Sequence, residues 1–243
     1  MLFKKLRYAK YYAGVLFRNW RSKKESFAQH GEDLIVEKML NKVESFIDIG
    51  ANDGVLFSNT YKFAKTGARG LCLEPSPSTF VKLRLNHLFH PKIKCVRAAV
   101  SNKPGSLPFI EDGYEAVLSR VAQAEHEESN EQSGSPATIE VPALTLDQIL
   151  SKYESFKKID LLSIDVEGHE RQILEGMNDS SLHARVIILE SDKCEVDEIL
   201  SLPALKLYVP RYSNGVNLIL VNNSEKVTDL SVKEELPGNY KKC

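Results

Sequence analysis

The chain has 243 residues, 42% of them hydrophobic and 27% charged, with a formal net charge of −1. That length supports one large domain with a substantial core, and the near-zero charge excludes a whole-molecule basic field for nucleic acid. The four cysteines, Cys72, Cys95, Cys194 and Cys243, form no CxxC pair and no zinc-spaced cluster with histidine, so they read as reduced thiols of a cytoplasmic protein.

The chain opens on a basic segment. Residues 1–24, MLFKKLRYAKYYAGVLFRNWRSKK, carry Lys4, Lys5, Arg7, Lys10, Arg18, Arg21, Lys23 and Lys24 and no acid. The apolar stretch YYAGVLF is too short to span a membrane and lacks a small-residue cleavage site. Aromatics interleaved with bases suit a helix in peripheral contact with an anionic membrane, or a solvated helix on the domain's own edge.

From residue 25, apolar runs alternate with helical stretches. Residues 45–50, SFIDIG, read as a strand stopped by Gly50, and 59–67 as a helix closed by Gly67. A strand at 69–75 ends on Pro75, and a helix at 77–89 carries proline in its first turn. A third strand is expected over 93–101. The acidic, serine-rich stretch 124–137 buries too little to order itself and reads as a mobile loop. A helix at 145–153, with Thr145 or Asp147 near its start, is followed by a strand at 158–165 and a helix at 169–177. A strand at 184–190, a helix at 195–202 and a hairpin of 206–211 with 216–222, turning through Ser213-Asn214-Gly215, complete the pattern. Residues 224–243 are charged and read as a peripheral tail. Alternating strands and helices predict an α/β, Rossmann-like domain over 25–223, with a mostly parallel sheet, helices on both faces and an antiparallel hairpin at its edge.

In such sheets ligands bind at the carboxyl ends of the strands, where strand order reverses. Five places qualify: Asp48 to Gly54, Glu74, Ala99-Val100-Ser101, Asp165 to Glu170, and Glu190. Four of the five hold a carboxylate, which core packing does not require. In DIGANDG, small residues let the backbone approach a ligand, but the motif is not GxGxxG. Its acids repel pyrophosphate and welcome a cation. Glu74 stands where an acid accepts hydrogen bonds from ribose hydroxyls. A ribose site without a phosphate site points to a nucleoside with a positive or zwitterionic tail, as in S-adenosylmethionine. The expected cofactor contacts are Asp48, Gly50, Asn52, Asp53, Gly54, Glu74, Ala99, Val100 and Asp165. For the methyl transfer implied by the resemblance described next, the expected reaction centre is Asp165, Glu167, His169 and Glu190, with Asp165 or Glu167 on the acceptor or the methionine ammonium, and His169 or Glu190 as base. His169 and Glu170 also fit as ordinary first-turn residues of a helix. His30 and Asp33, in QHGED, either cover the cofactor or stabilise the adjoining helix. Closely spaced Asp165 and Glu167 suit magnesium, but the spacing defines no third ligand, so no metal is assigned.

DIGANDG, LEPSP, RAAVSN, TLDQIL and IDVEGHERQIL, in this order, together with FAQHGEDLIV at 27–36, resemble the FkbM-type S-adenosylmethionine-dependent methyltransferases over about residues 27–220. The resemblance implies a seven-stranded class I methyltransferase fold. It implies a cofactor loop of Asp48, Gly50, Asn52 and Gly54, a ribose contact at Glu74, and Asp165 and Glu167 at the reaction centre. It also implies methylation of a hydroxyl, often on a saccharide, glycolipid or related metabolite. Residues 110–137 depart from the pattern and leave the acceptor open. Two other readings share the fold: an NAD-dependent oxidoreductase, against which the missing GxGxxG counts, and a non-catalytic membrane-associated module.

Overall fold

The computed structural model describes residues 19, 21–111, 120–121, 137–177, 182–192, 195–230 and 236–243. Most of the basic N-terminal segment and the acidic loop up to residue 136 lie outside the described residues.

The main sheet is built from β1 (Ser45–Ile49), β2 (Arg69–Leu73) and β3 (Ile93–Val96), then β8 (Lys158–Ile164) and β9 (His183–Glu190), with β10 (Tyr208–Ser213), β11 (Asn217–Asn222) and β12 (Lys241–Lys242) at one edge. Its order is β12-β10-β11-β9-β8-β1-β2-β3. The first five are mutually parallel, and β11 runs antiparallel between β9 and β10. This is the expected seven-stranded arrangement with one short strand added. Strand order reverses between β1 and β8, so their carboxyl ends lie side by side, with Ile47 level with both Leu71 and Leu162.

Every residue of β1 is buried, because helices cover both faces and successive side chains point to opposite sides. Ile47, Ile49, Leu162 and Ile164 pack with α4 (Leu146–Lys152), α5 (Glu170–Glu175) and α6 (Val196–Leu200). Phe46, Cys72, Leu161 and Ile188 pack on the other face with α1 (Glu32–Leu40), α2 (Tyr61–Lys65) and α3 (Pro77–Asn86). Local chemistry starts these elements. Thr145 and Gln148 form a reciprocal capping box on α4, and Ser76 caps α3 ahead of Pro77. Gly67 follows α2 at φ 90°. Asn214 accepts from the amides of Val216 and Asn217 in the hairpin turn.

Two expectations are corrected. The strand over 93–101 is two strands: β3 closes the main sheet, and β4 (Ala99–Val100) joins a second sheet, ordered β4-β7-β5-β6, with β5 (Gly105–Glu111), β6 (Arg120–Val121) and β7 (Ala137–Leu144). Pro108 and Pro142 and the polar alternation of β7 resemble loop chemistry, yet β7 buries Val141 and Ala143 while Thr138, Glu140 and Pro142 stay exposed. Ser76 and Ser78, just past β2, donate their hydroxyls to Glu111 and tie this second sheet to the main one. The charged C-terminal stretch, in turn, buries Leu230 and Tyr240 and adds β12 to the edge. The Tyr240 hydroxyl donates to Glu32 Oε1 at 3.0 Å. Among the described residues no helix is long and apolar enough to cross a membrane.

Candidate active site

The carboxyl ends of β1, β2, β4, β8 and β9 surround a cleft of about 1070 Å³. Asp48, Gly50, Asn52, Glu74, Ala99, Val100, Asp165, Glu167, His169 and Glu190 all line it. Asp53 and Gly54 do not. The Asp53 carboxylate accepts from the amides of Val55 and Leu56 at 2.8 Å each, and its carbonyl accepts from Asn86 Nδ2. Gly54 presses on α3, where a Cβ would lie 2.7 Å from His87 Nε2 and from Leu83 Cδ1. Both expected cofactor contacts therefore belong to the turn's own scaffold.

Gly50 has a different constraint. At φ +84°, a Cβ there would lie 1.7 Å from the Asp165 carbonyl oxygen. The turns after β1 and β8 can touch only because this residue has no side chain. The contact is reinforced by the Asp165 amide, which donates to the Ile49 carbonyl at 3.1 Å. Asp48, wholly buried, accepts from Thr60 Oγ1 at 2.6 Å and from the Ser163 hydroxyl. Burial pushes its carboxyl up to about 6. Glu74 accepts from the Asn52 amide at 3.1 Å and the Ser76 amide at 2.9 Å, and burial pushes it up to about 7. Asn52 takes a left-handed φ of 48°, which presents its amide to Glu74.

The turn after β8 is drawn tight by Glu170. Its fully buried Oε1 accepts from the amides of Val166 and Gly168, at 3.0 and 3.2 Å. Glu170 is thus a clasp on the loop, beyond any favourable interaction with the helix dipole. The clasp holds Glu167 at φ 58°, and the Glu167 amide donates to Glu190 Oε2 at 3.1 Å. One carboxylate oxygen from each of Asp165, Glu167 and Glu190 then lies within 4.8 Å of the others. Glu190 is the third carboxylate that spacing alone did not define. Burial foremost, then the charges of Asp165 and Glu167, push its carboxyl up to about 9, so it carries a proton at neutral pH. Burial lowers the His169 pKa, against the opposing charge of Glu170, and so favours the neutral ring. His169 Nε2 lies 3.0 Å from Ser101 Oγ. Either atom can be the donor in this pair, according to the imidazole tautomer.

Of QHGED, the acids are structural. Asp33 accepts from Ser26 Oγ and the Phe27 amide, at 2.6 and 2.8 Å. Glu32 accepts from Asn217 Nδ2 at 2.7 Å. Gln29, unsuspected from sequence, lines the cleft, as do Phe57, Asn59, Phe109 and Val121. Asn59 donates to Ser163 Oγ at 3.2 Å. Its polar side chain so soon after the first turn was a usable signal. Phe109 and Val121 come from the second sheet and carried none.

The residues fit S-adenosylmethionine, the cofactor of a methyltransferase of this fold. Five carboxylates line the cleft, and no lysine or arginine does so among the described residues. That suits a sulfonium and an ammonium and offers a pyrophosphate no partner. Glu74 retains acceptor capacity beyond its two amide bonds.

Residues 48–207 match the family described as the Methyltransferase FkbM domain. Methyltransferase SdnD of Sordaria araneosa is 26% identical over 179 residues, covering 64% of this chain and 68% of that protein. Hexuronic acid methyltransferase AglP of Haloferax volcanii is 23% identical over 198 residues, covering 78% and 76%. The crystal structure of methyltransferase FkbM from Methylobacillus flagellatus KT superposes with a TM-score of 0.45 at 12% identity; the match covers 73% of this chain and 43% of that one. With its domain match running from Asp48 at the end of β1 to Leu207 before β10, more than half of its length, the chain belongs to the FkbM methyltransferase family.

Proposed function

We propose that the protein is an S-adenosylmethionine-dependent O-methyltransferase acting on a hydroxyl of a saccharide, glycolipid or related metabolite. The observation that carries this reading is the meeting of Asp165, Glu167, His169 and Glu190 in the same cleft as Glu74. A relative named as a hexuronic acid methyltransferase supports a sugar acceptor. The carboxylate-rich lining favours a neutral sugar over an acidic one, because a further anion would meet like charge.

S-adenosylmethionine, when bound, supplies a methyl group on a sulfonium. Glu74 holds the ribose hydroxyls, and the backbone of Gly50 to Asn52 forms the floor. Asp165 and Glu167 accept hydrogen bonds from the acceptor's hydroxyls and orient it, and such alignment contributes up to about 7–11 kcal/mol. His169 takes the proton from the reacting hydroxyl, a step worth about 10²–10⁴-fold. Glu190, protonated, donates rather than accepts within its carboxylate group.

Calorimetric titration with S-adenosylmethionine, with NAD as control, tests the cofactor. Saturable binding of the first alone, weakened at least about tenfold in Glu74→Ala, supports the reading; NAD binding returns the oxidoreductase. Turnover is then measured on matched neutral, amino and uronic sugars. Absence of turnover in folded protein that binds the cofactor favours a non-catalytic module. Turnover is expected to survive EDTA; its loss would hand the carboxylate triad to a divalent cation.

A further inference from the structure

Two long stretches of the chain contain no acid. Residues 1–24 hold eight lysines and arginines, and residues 75–110 hold six, in a protein whose net charge is −1. They are far apart in sequence, yet Asn19 and Ser22, from the end of the first, come close to the second. Lys65 Nζ, on α2, donates to the carbonyls of Asn19 and Ser22, at 3.0 and 2.9 Å. The same Lys65 lines a shallow surface groove with Phe89, His90 and Lys92, and no acid lines that groove. Asn19 and Ser22 therefore lie near the turn that follows α3.

That turn and helix are unusual on their outer side. α3 packs Thr79 and Leu83 against the domain, so polar side chains are expected opposite. Instead Val81, Leu88 and Phe89 are 56%, 63% and 52% exposed, and half-buried Leu85 lies between them at helical spacing. Leu56 and Phe57 belong to the rim of the cleft; of the other large exposed apolar side chains among the described residues, only Leu207 is elsewhere. Arg84 flanks the stripe, and Lys92 lies just beyond it. Apolar side chains standing out of a cationic surface are the composition of an interfacial membrane contact. Two copies of such a face repel each other, and a nucleic acid gains nothing from exposed Val and Leu.

We propose that the outer face of α3 and the Leu88-Phe89 turn, with Arg84 and Lys92 around them, bind the surface of an anionic lipid bilayer. This goes beyond the catalytic reading and stands apart from it, since none of these residues lines the cleft. The test is flotation of the full-length protein with vesicles of phosphatidylcholine, with and without phosphatidylglycerol, at low and high salt. Binding is expected only with phosphatidylglycerol, and it weakens as salt rises. Leu88→Ser with Phe89→Ser reduces partition at least about tenfold, with melting temperature and cofactor titration unchanged. Arg84→Glu with Lys92→Glu removes the preference for anionic lipid. Equal binding to both vesicle types, or unchanged partition of the double serine variant, overturns the proposal. So does a dimer in sedimentation that the serine variant dissociates, or a nucleic acid retained through purification by the wild type alone. None of these results bears on the cofactor titration, so the two readings fail separately.

Discussion

In the turn after β1, the two aspartates serve the protein's own structure. Asp48 is held by the hydroxyls of Thr60 and Ser163, and Asp53 by two amides of its own turn. In the turn after β8, Asp165 and Glu167 converge on Glu190 from the neighbouring strand, with oxygens within 4.8 Å. The residue types are the same and the turns are adjacent. The difference is where the local donors lie. A carboxylate followed by free amides in a tight turn closes on them. In the second turn that service is performed by Glu170, which takes the amides of Val166 and Gly168. Asp165 and Glu167 are thereby left to line the cleft. The aspartates of the first segment are held by the protein's own donors, the acids of the second gather with Glu190 in the cleft, and Glu170 makes the distinction.

The contrast can be broken most severely at the contact between the turns. Gly50→Ala places a methyl group 1.7 Å from the Asp165 carbonyl oxygen at a positive φ. It is expected to cost more than about 4 kcal/mol and leave little folded protein in a urea melt. Gly54→Ala meets a histidine ring and a leucine terminus, which can shift, so a smaller loss of about 1–3 kcal/mol is expected. Equal losses would mean that the two turns do not depend on each other.

The reaction centre is sharpened by single-turnover kinetics. His169→Asn is expected to lower the methyl-transfer rate by about 10²–10⁴-fold while the cofactor dissociation constant stays within about threefold. Glu190→Gln, replacing a carboxyl that already holds a proton, should cost less than about tenfold. The reverse ranking would move the base to Glu190.

The pH dependence of stability separates the turns further. Glu190 has its folded pKa raised to about 9 from 4.5. The folded state thus holds a proton that the unfolded chain releases. This contribution is complete below about pH 4.5 and is lost as pH rises toward 9. Glu74 and Asp48, raised to about 7 and 6, have the same sign and act lower. Melting temperature of the cofactor-free protein should therefore fall between pH 7 and pH 9, and Glu190→Gln should flatten that limb alone. An unchanged slope would remove Glu190 from the cause.

The smallest expected effect is at Asp53→Ala. Loss of two amide bonds should cost about 1–2 kcal/mol in a thermal melt, with cofactor affinity changed less than about threefold. A large loss of affinity without loss of stability would return Asp53 to the cofactor site.

The order of elements in the main sheet was legible because local chemistry carries it. Apolar runs end on Gly50 and Pro75, Thr145 caps its helix, and Asn214-Gly215 turns the hairpin. The second sheet was not legible. β5 opens on four exposed or half-buried residues before Phe109 and Ile110, β7 alternates, and both are interrupted by proline. The burial of Tyr240 was equally hidden, since its partner Glu32 stands 208 residues away.

Strand-end position was enough, without coordinates, to indicate a carboxylate-lined site at the carboxyl ends of the strands, with Glu74 and the DVEGHE stretch within it, while the family was indicated by the resemblance of the ordered motifs. Tertiary structure alone decided which acids face the cleft. It turned Asp53 and Gly54 away, made Glu170 a clasp, brought Glu190 to Asp165 and Glu167, and set Asn19 and Ser22 against Lys65, which shares a groove with Phe89. The physical reason is that carboxylates recur in four of the five strand-end segments, while their direction depends on φ angles and on donors from other strands. A residue's chemistry is local, but its partner is chosen by the whole fold.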